Sequence, residues 1–171
     1  MAEALSAQLS ASVAWLFQDT LGLTTIADAS RLAYDAQLDD GAGAGQANLI
    51  WHDLRTIAAG GHDDLVLSAL PQTIFGNAVS LQFDTVKALW VVNVAATTGS
   101  QLLVGAAPTN PWSAPFGAAT HQVRVPADSS LMLVNKNDGW GVAAGAADTL
   151  RIANPGSDSI DYKIVVVGTR P

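Results

Sequence analysis

Apolar and polar residues alternate from the start of the chain. Leu5, Ala7, Leu9, Ala11, Val13, Trp15 and Phe17 take every second position, with Ser6, Gln8, Ser10, Ser12, Ala14, Leu16 and Gln18 between them. A period of two is the signature of a strand with one covered face. Leu5, Leu9, Val13 and Leu16 also fall on one helical face, so a helix is the competing reading. The unbroken alternation favours the strand. Residues 31–38 repeat the pattern, with Leu32, Tyr34, Ala36 and Leu38 on one side and Arg31, Asp35 and Gln37 on the other. Asp39-Asp40-Gly41-Ala42-Gly43-Ala44-Gly45 then breaks it.

Apolar-rich segments follow at 48–57, 64–70, 78–83 and 86–94. The last, Val86-Lys87-Ala88-Leu89-Trp90-Val91-Val92-Asn93-Val94, is nearly continuous, as in a central strand covered on both faces. Shorter runs lie at 101–105, 121–126, 130–134, 148–153 and 160–168, separated by Gly, Pro, Asn and Asp. Parallel α/β folds need a helix between strands, and no convincing slot for several helices exists. Short strands with turn signals at this spacing predict an all-β fold, an antiparallel β-sandwich that is jelly-roll-like. Residues 1–18 read as an N-terminal arm or first strand, and 19–171 as a single sandwich domain with no short internal repeat.

Composition sharpens this picture. Of the 15 acidic residues 14 are Asp, a turn and cap former, and only Glu3 is Glu. The net charge of −7, with 8 Lys and Arg that form no cluster, argues against a nucleic-acid partner. No apolar stretch is long enough for a transmembrane helix, and no basic flank marks a secretory leader, so no membrane partner is expected. With no Cys, a disulfide framework, a thiolate zinc site and a cysteine nucleophile are excluded. The 171 residues are enough for a core without a stapling metal.

Candidate chemistry is sparse. Gly41 to Gly45 lacks the Lys-Ser/Thr of a phosphate loop and reads as a hairpin loop. His52 with Asp53, and His62 with Asp63 and Asp64, are metal-ligand types that a hairpin across Gly60-Gly61 would bring near one another. Without a helical spacing or a third nearby His, a solvated turn is the better reading, and no metal or other cofactor is expected. Ser129, Ser130 and His121 share a region but lack a nucleophile elbow. Asp39-Asp40 and Asp63-Asp64 read as caps and turns. The chain is not expected to be an enzyme.

The five Trp residues say more. Trp15 and Trp90 sit in strand patterns and read as core, and Trp51 as core or rim. Trp112 and Phe116 lie in a loop with three prolines, Pro108, Pro111 and Pro115. They are either exposed interface anchors or a plug for one end of the sandwich. Trp140, between two glycines, is an interface or carbohydrate contact or a cover for the core edge. Small uncharged residues are abundant throughout, as on surfaces that pack against their own copies. A strand-forming arm can also add to a neighbour's sheet edge.

Several short motifs occur in a characteristic order. They are Gly43-Ala44-Gly45-Gln46-Ala47-Asn48-Leu49-Ile50-Trp51, Arg55-Thr56-Ile57-Ala58-Ala59-Gly60-Gly61 with Asp64-Leu65, and Phe75-Gly76-Asn77. Val86-Lys87-Ala88-Leu89-Trp90-Val91-Val92-Asn93, Leu103-Val104-Gly105, Asp148-Thr149-Leu150-Arg151-Ile152-Ala153-Asn154 and Tyr162-Lys163-Ile164-Val165-Val166-Val167-Gly168 complete them. In these motifs, from about residue 30 to the end, the chain resembles small virion structural proteins of tailed bacteriophages. The resemblance implies a β-sandwich or jelly-roll shell protein, a homotrimer that cements the capsid lattice by bridging major capsid proteins on the outer surface of the head. It carries over no catalytic residue. A tail or baseplate component, or an adhesin that binds host glycans through Trp112, Phe116 and Trp140, is the alternative.

Overall fold

Alternation along each strand decides how this chain layers. A computed structural model describes residues 4–74 and 76–171. Residues 1–3 of the expected arm, Glu3 among them, and Phe75 of the Phe75-Gly76-Asn77 motif lie outside the described residues. The strands are β1 (Ala7–Leu21), β2 (Thr24–Asp40), β3 (Gln46–Ala47), β4 (Leu49–Ile57), β5 (His62–Val66), β6 (Leu70–Ile74) and β7 (Asn77–Leu81). They continue with β8 (Thr85–Asn93), β9 (Gln101–Gly105), β10 (Gln122–Pro126), β11 (Ser129–Val134), β12 (Trp140–Gly141), β13 (Thr149–Ala153) and β14 (Ile160–Thr169). Among the described residues there is no helix, and the fold is all-β.

Two antiparallel sheets form the body. One runs β11-β8-β14-β4, with β12 added beside β8, and the other runs β10-β9-β13-β5. Trp51 and Ile57 of β4, Leu89 and Val91 of β8, and Ile160, Tyr162, Ile164 and Val166 of β14 point inward from the first sheet. Leu65, Leu102, Val104, Val125, Leu150 and Ile152 meet them from the second. Alternate residues of both sheets thus build one core, the arrangement of a β-sandwich. Each large aliphatic side chain enclosed there contributes about 1.5–3 kcal/mol over its exposed state.

The Gly60-Gly61 turn carries the chain from one sheet to the other. It does not fold β4 and β5 into a hairpin, because they belong to different sheets. A buried side chain holds this crossover: Asn154 Nδ2 donates to the carbonyls of Ile57, Ala58 and Asp158 at 3.1, 3.1 and 2.7 Å. Backbone carbonyls freed by leaving a sheet need such partners.

The N-terminal region is a strand, as its alternation leads one to expect, and it extends past residue 18 to Leu21. β1 pairs antiparallel with β2 of the same chain along its whole length, from Ala7 opposite Leu38 to Leu21 opposite Thr24. The two-residue turn Gly22-Leu23 closes this ribbon. Gly22 has φ 60°, which a primed hairpin turn needs and glycine adopts without a Cβ clash. β1 is thus the first strand of a two-stranded ribbon that it shares with β2. The Gly-rich stretch after β2 is not a hairpin loop, because β2 and β3 run parallel. Gly45 N–H donates to Lys136 O at 3.1 Å, and Gln46 Oε1 accepts from Gly43 N–H at 2.9 Å.

Candidate functional site

The period of two sorts the ribbon into two faces. One collects Ala7, Leu9, Ala11, Val13, Trp15 and Phe17 from β1, opposite Leu38, Ala36, Tyr34, Leu32, Ser30 and Asp28 of β2. The other carries Gln8, Ser10, Ser12 and Gln18 opposite Gln37, Asp35, Ala33 and Ala27. The apolar face is covered only at its root. There Leu38 and Ala36 are buried, and Leu38 clusters with Ala47, Ala88 and Val167, flanked by Ala7, Leu9, Val134 and Val165. From 11 to 20 and from 22 to 35 every residue is exposed. That stretch is roughly 35 Å of ribbon at about 3.3 Å per residue. Phe17 is 71% exposed, Leu32 70% and Trp15 43%. Trp15 is thus not core, as its strand pattern led us to expect. Its indole N–H reaches Asp28 Oδ2 at 3.4 Å across the ribbon.

A second apolar surface adjoins the ribbon root. On the outer face of the β11-β8-β14-β4 sheet, Trp90 lies opposite Met132 on one side and Val165 on the other, and Val165 lies opposite His52. Trp90 is 46% exposed, so β8 is covered on both faces at Ala88 but not at Trp90. Between this strip and the ribbon root runs a groove of about 390 Å³ lined by Leu9, Ser10, Ile50, Trp90, Met132 and Val165. Core placement of Trp90 is corrected for the same reason as that of Trp15. The alternation is real, but nothing in the single chain covers that face.

The expected aromatic contacts form a different object. Trp112 is only 2% exposed. Phe116 and Trp140 both stand edge-on to it, each with ring centroids 6.3 Å from its own and interplanar angles of 90° and 89°. Its indole N–H donates to Gly141 O at 2.9 Å, and its backbone N–H to Thr149 O at 2.9 Å. Of the two readings of the Pro-rich loop, the plug is the one observed for Trp112, which presents no face to a partner. Phe116 and Trp140, both half-buried, complete that plug. The rigid loop aims the rings into the open end of the sandwich, where a polar rim carbonyl satisfies the indole. Trp51 is likewise core, with Nε1 donating to Pro71 O at 3.0 Å.

Polar groups singled out in the sequence are tied into the framework. Arg55 donates to Asp63 Oδ2 at 2.9 Å and to Asp53 Oδ2 at 3.0 Å, and the buried Tyr162 hydroxyl donates to the same Asp63 oxygen at 2.8 Å. This network joins β4, β5 and β14, and hence both sheets. Arg151 grips Asp64 with two bonds of 2.7 Å. The paired guanidinium holds the Asp64 carboxyl below its usual range. His62 Nε2 approaches Asp64 at 3.8 Å, but His52 lies on the other sheet. Among the described residues no group of three or more His, Asp or Glu could hold a metal ion. His121 Nδ1 lies 3.0 Å from Phe116 O and Ser129 Oγ donates to Ala127 O at 3.3 Å, so each is engaged by a backbone carbonyl and not by the other.

Burial, then the hydrogen bond to Asp63, pushes the Tyr162 phenol well above its usual range. A phenol whose folded-state pKa is raised adds stability that is complete below its unfolded value, about 10, and is lost as pH rises beyond it. The wild type's stability to urea should therefore fall as pH rises above about 10. Tyr162→Phe should cost about 1–2 kcal/mol at neutral pH and show a shallower alkaline decline. Parallel declines in the two proteins would count against this assignment.

No family model matches the chain, and no curated protein matches it.

Proposed function

We propose that the chain is a virion structural protein, a capsid decoration (cement) protein of a tailed-phage head that works as a homotrimer bridging major capsid proteins. One observation carries this reading: a sandwich body from which a long two-stranded ribbon projects with its apolar face uncovered. An isolated two-stranded ribbon is marginal in water. Apolar surface of this extent marks an interaction site. An arm of this kind ties one subunit to its surroundings and has no evident use to a freely diffusing catalyst. The ordered motifs from Gly43 to Gly168 support the phage reading. So does the acidic balance, which limits clumping of decorated particles.

A jelly-roll-like sandwich is the finer reading of the fold. It is supported by the eight strands β4, β5, β8, β9, β10, β11, β13 and β14, whose orders in the two sheets fit two interleaved Greek keys. The mechanism is mechanical. Interface buried between neighbours opposes the outward pressure of packaged DNA, and repetition over the shell makes modest contacts effective.

Immunogold electron microscopy of virions of the encoding phage, with antiserum to this protein, tests the reading. Label over the head shell supports cement. Label confined to the tail, or none, overturns it, and tail label would favour the baseplate or adhesin role. With Trp112 buried, an adhesin would need glycan contacts other than that ring.

A further inference from the structure

We infer that the uncovered apolar face of the ribbon seats on a second copy of this chain, on the strip formed by Trp90, Met132 and Val165. The inference deepens the proposed homo-oligomer by naming its surfaces, and it rests on the ribbon being an assembly arm.

Continuity is the first argument. The ribbon face that is bare at Val13, Trp15 and Phe17 is the face that, nearer the body at Ala7, Leu9 and Leu38, already packs on the outer sheet. Leu38 clusters there with Ala88 and Val167, with Ala7, Leu9 and Val165 packed against them. Trp90, Met132 and Val165 lie one alternation further along the same sheet face, on the same three strands as Val134, Ala88 and Val167. The chain thus carries both halves of one contact: an arm surface and a receptor surface of matching kind, each partly used within the subunit, the arm continuing exposed at Val13, Trp15 and Phe17 and the sheet at Trp90, with Met132 and Val165 half-buried beside it.

Area is the second argument. The exposed parts of Trp15, Phe17 and Tyr34 alone amount to on the order of 300 Å². Val13, Ile26 and Leu32 extend the patch, all more than half exposed. In a homotrimer each arm seats on one neighbour, so every contact counts the arm patch together with the surface that it covers. That brings the total near the roughly 1,200–2,000 Å² of a stable specific interface.

Charge is the third. Residues 4–18 hold no charged side chain, and the one ion on the apolar face between Ala7 and Phe17 is Asp28, opposite Phe17, whose carboxylate accepts from the Trp15 indole at 3.4 Å. The ribbon's ions are Asp19, Asp28, Asp35, Asp39 and Asp40 against the single Arg31. This acidic excess disfavours an anionic membrane or a nucleic acid as the occupant. The receptor strip itself is uncharged.

The purified chain should sediment as an oligomer at micromolar concentration. The double substitution Trp15→Ser with Phe17→Ser should reduce its mass to the 17.6 kDa of one chain while leaving the near-ultraviolet spectrum of the buried Trp51 and Trp112 in place. Since the chain has no Cys, two single-cysteine variants, Phe17→Cys and Trp90→Cys, can be mixed and oxidised. A disulfide joining one variant to the other is expected. Disulfides confined to Phe17→Cys pairs would mean that ribbons stack on each other, and would overturn the receptor assignment. A wild-type chain of single-chain mass, an oligomer unmoved by the double substitution, or flotation of the chain with phosphatidylglycerol vesicles would overturn the inference itself. These readouts need no virion. An oligomer that never labels a phage head would refute the cement reading and leave this one standing, and a head-bound monomer would overturn this one together with the homotrimer while leaving the head location standing.

Discussion

Replacing Trp112 with Ala should lower the unfolding free energy by about 3–5 kcal/mol. In a chain of this length that is a fall in Tm of roughly 6–20 °C. Two losses add. Removing the ring leaves a cavity against Phe116 and Trp140, which both lean edge-on upon it. It also leaves Gly141 O without the indole donor that caps it at 2.9 Å. Trp112→Phe should recover part of the first loss and none of the second. Trp15→Ala is the informative control. In dilute solution, where chains are not associated, it should change body stability by less than about 0.5 kcal/mol, since the ring is not enclosed by its own chain. Calorimetry of the three variants checks both statements. A Trp112→Ala protein that melts with the wild type would mean that the plug does not close the sandwich.

The two tryptophans also mark where sequence reasoning succeeds and where it stops. Period-two alternation located β1 and the second half of β2, and apolar runs between turn signals located the body strands from Leu49–Ile57 to Ile160–Thr169 and predicted an all-β sandwich. Alternation reports that one face of a strand is apolar. It does not report what covers that face. Trp15 and Trp90 share the pattern of Trp51, yet only Trp51 is enclosed by its own chain. The bare ones are the residues that define the candidate interface. A strand pattern of this strength at the chain's beginning was therefore a sign of an arm, and its uncovered state could not be read from period alone.

Composition left two readings open at Trp112, an exposed anchor and a plug. Three nearby prolines make a loop look like a rigid exposed platform, but rigidity is equally useful for holding a ring inside. The second half of the ribbon was legible only in part. Ile26, Leu32, Tyr34, Ala36 and Leu38 keep one parity from 26 to 38, but Asp28 and Ser30 interrupt them and hide the strand's start at Thr24. The turn that joins the halves is only two residues, Gly22 and Leu23, between Leu21 and Thr24. For His52 and His62 the error was topological. Ten residues across two glycines look like a hairpin, and only the sheet assignment of β5 beside β13 separates them.

Gly168→Ala should be the most damaging single-methyl change in the body. Near the end of β14 the pairing with β8 shifts register between Val167 and Gly168, a bulge that brings the two backbones unusually close. A Cβ at Gly168 would lie 2.0 Å from Thr85 O and 3.0 Å from a ring carbon of Phe83. A flexible side chain could move aside, but Thr85 O is backbone within β8, which is held on both sides by β14 and by β11 and β12. Relief requires either opening the β8–β14 ladder or displacing Phe83, which is buried in the core. The expected loss is about 3 kcal/mol or more, at the upper end for overpacking. It should be read as lowered urea midpoints with an unchanged slope. Gly60→Ala separates this steric cause from backbone strain. Gly60 has φ 66°, so alanine is strained there, yet nothing lies within 4 Å of the added carbon. Its cost should stay near about 1–2 kcal/mol. Equal losses at the two positions would mean that the bulge yields. Because β8 and β14 also carry Trp90 and Val165, a Gly168→Ala chain that still folds should associate more weakly than the Gly60→Ala chain at the same concentration.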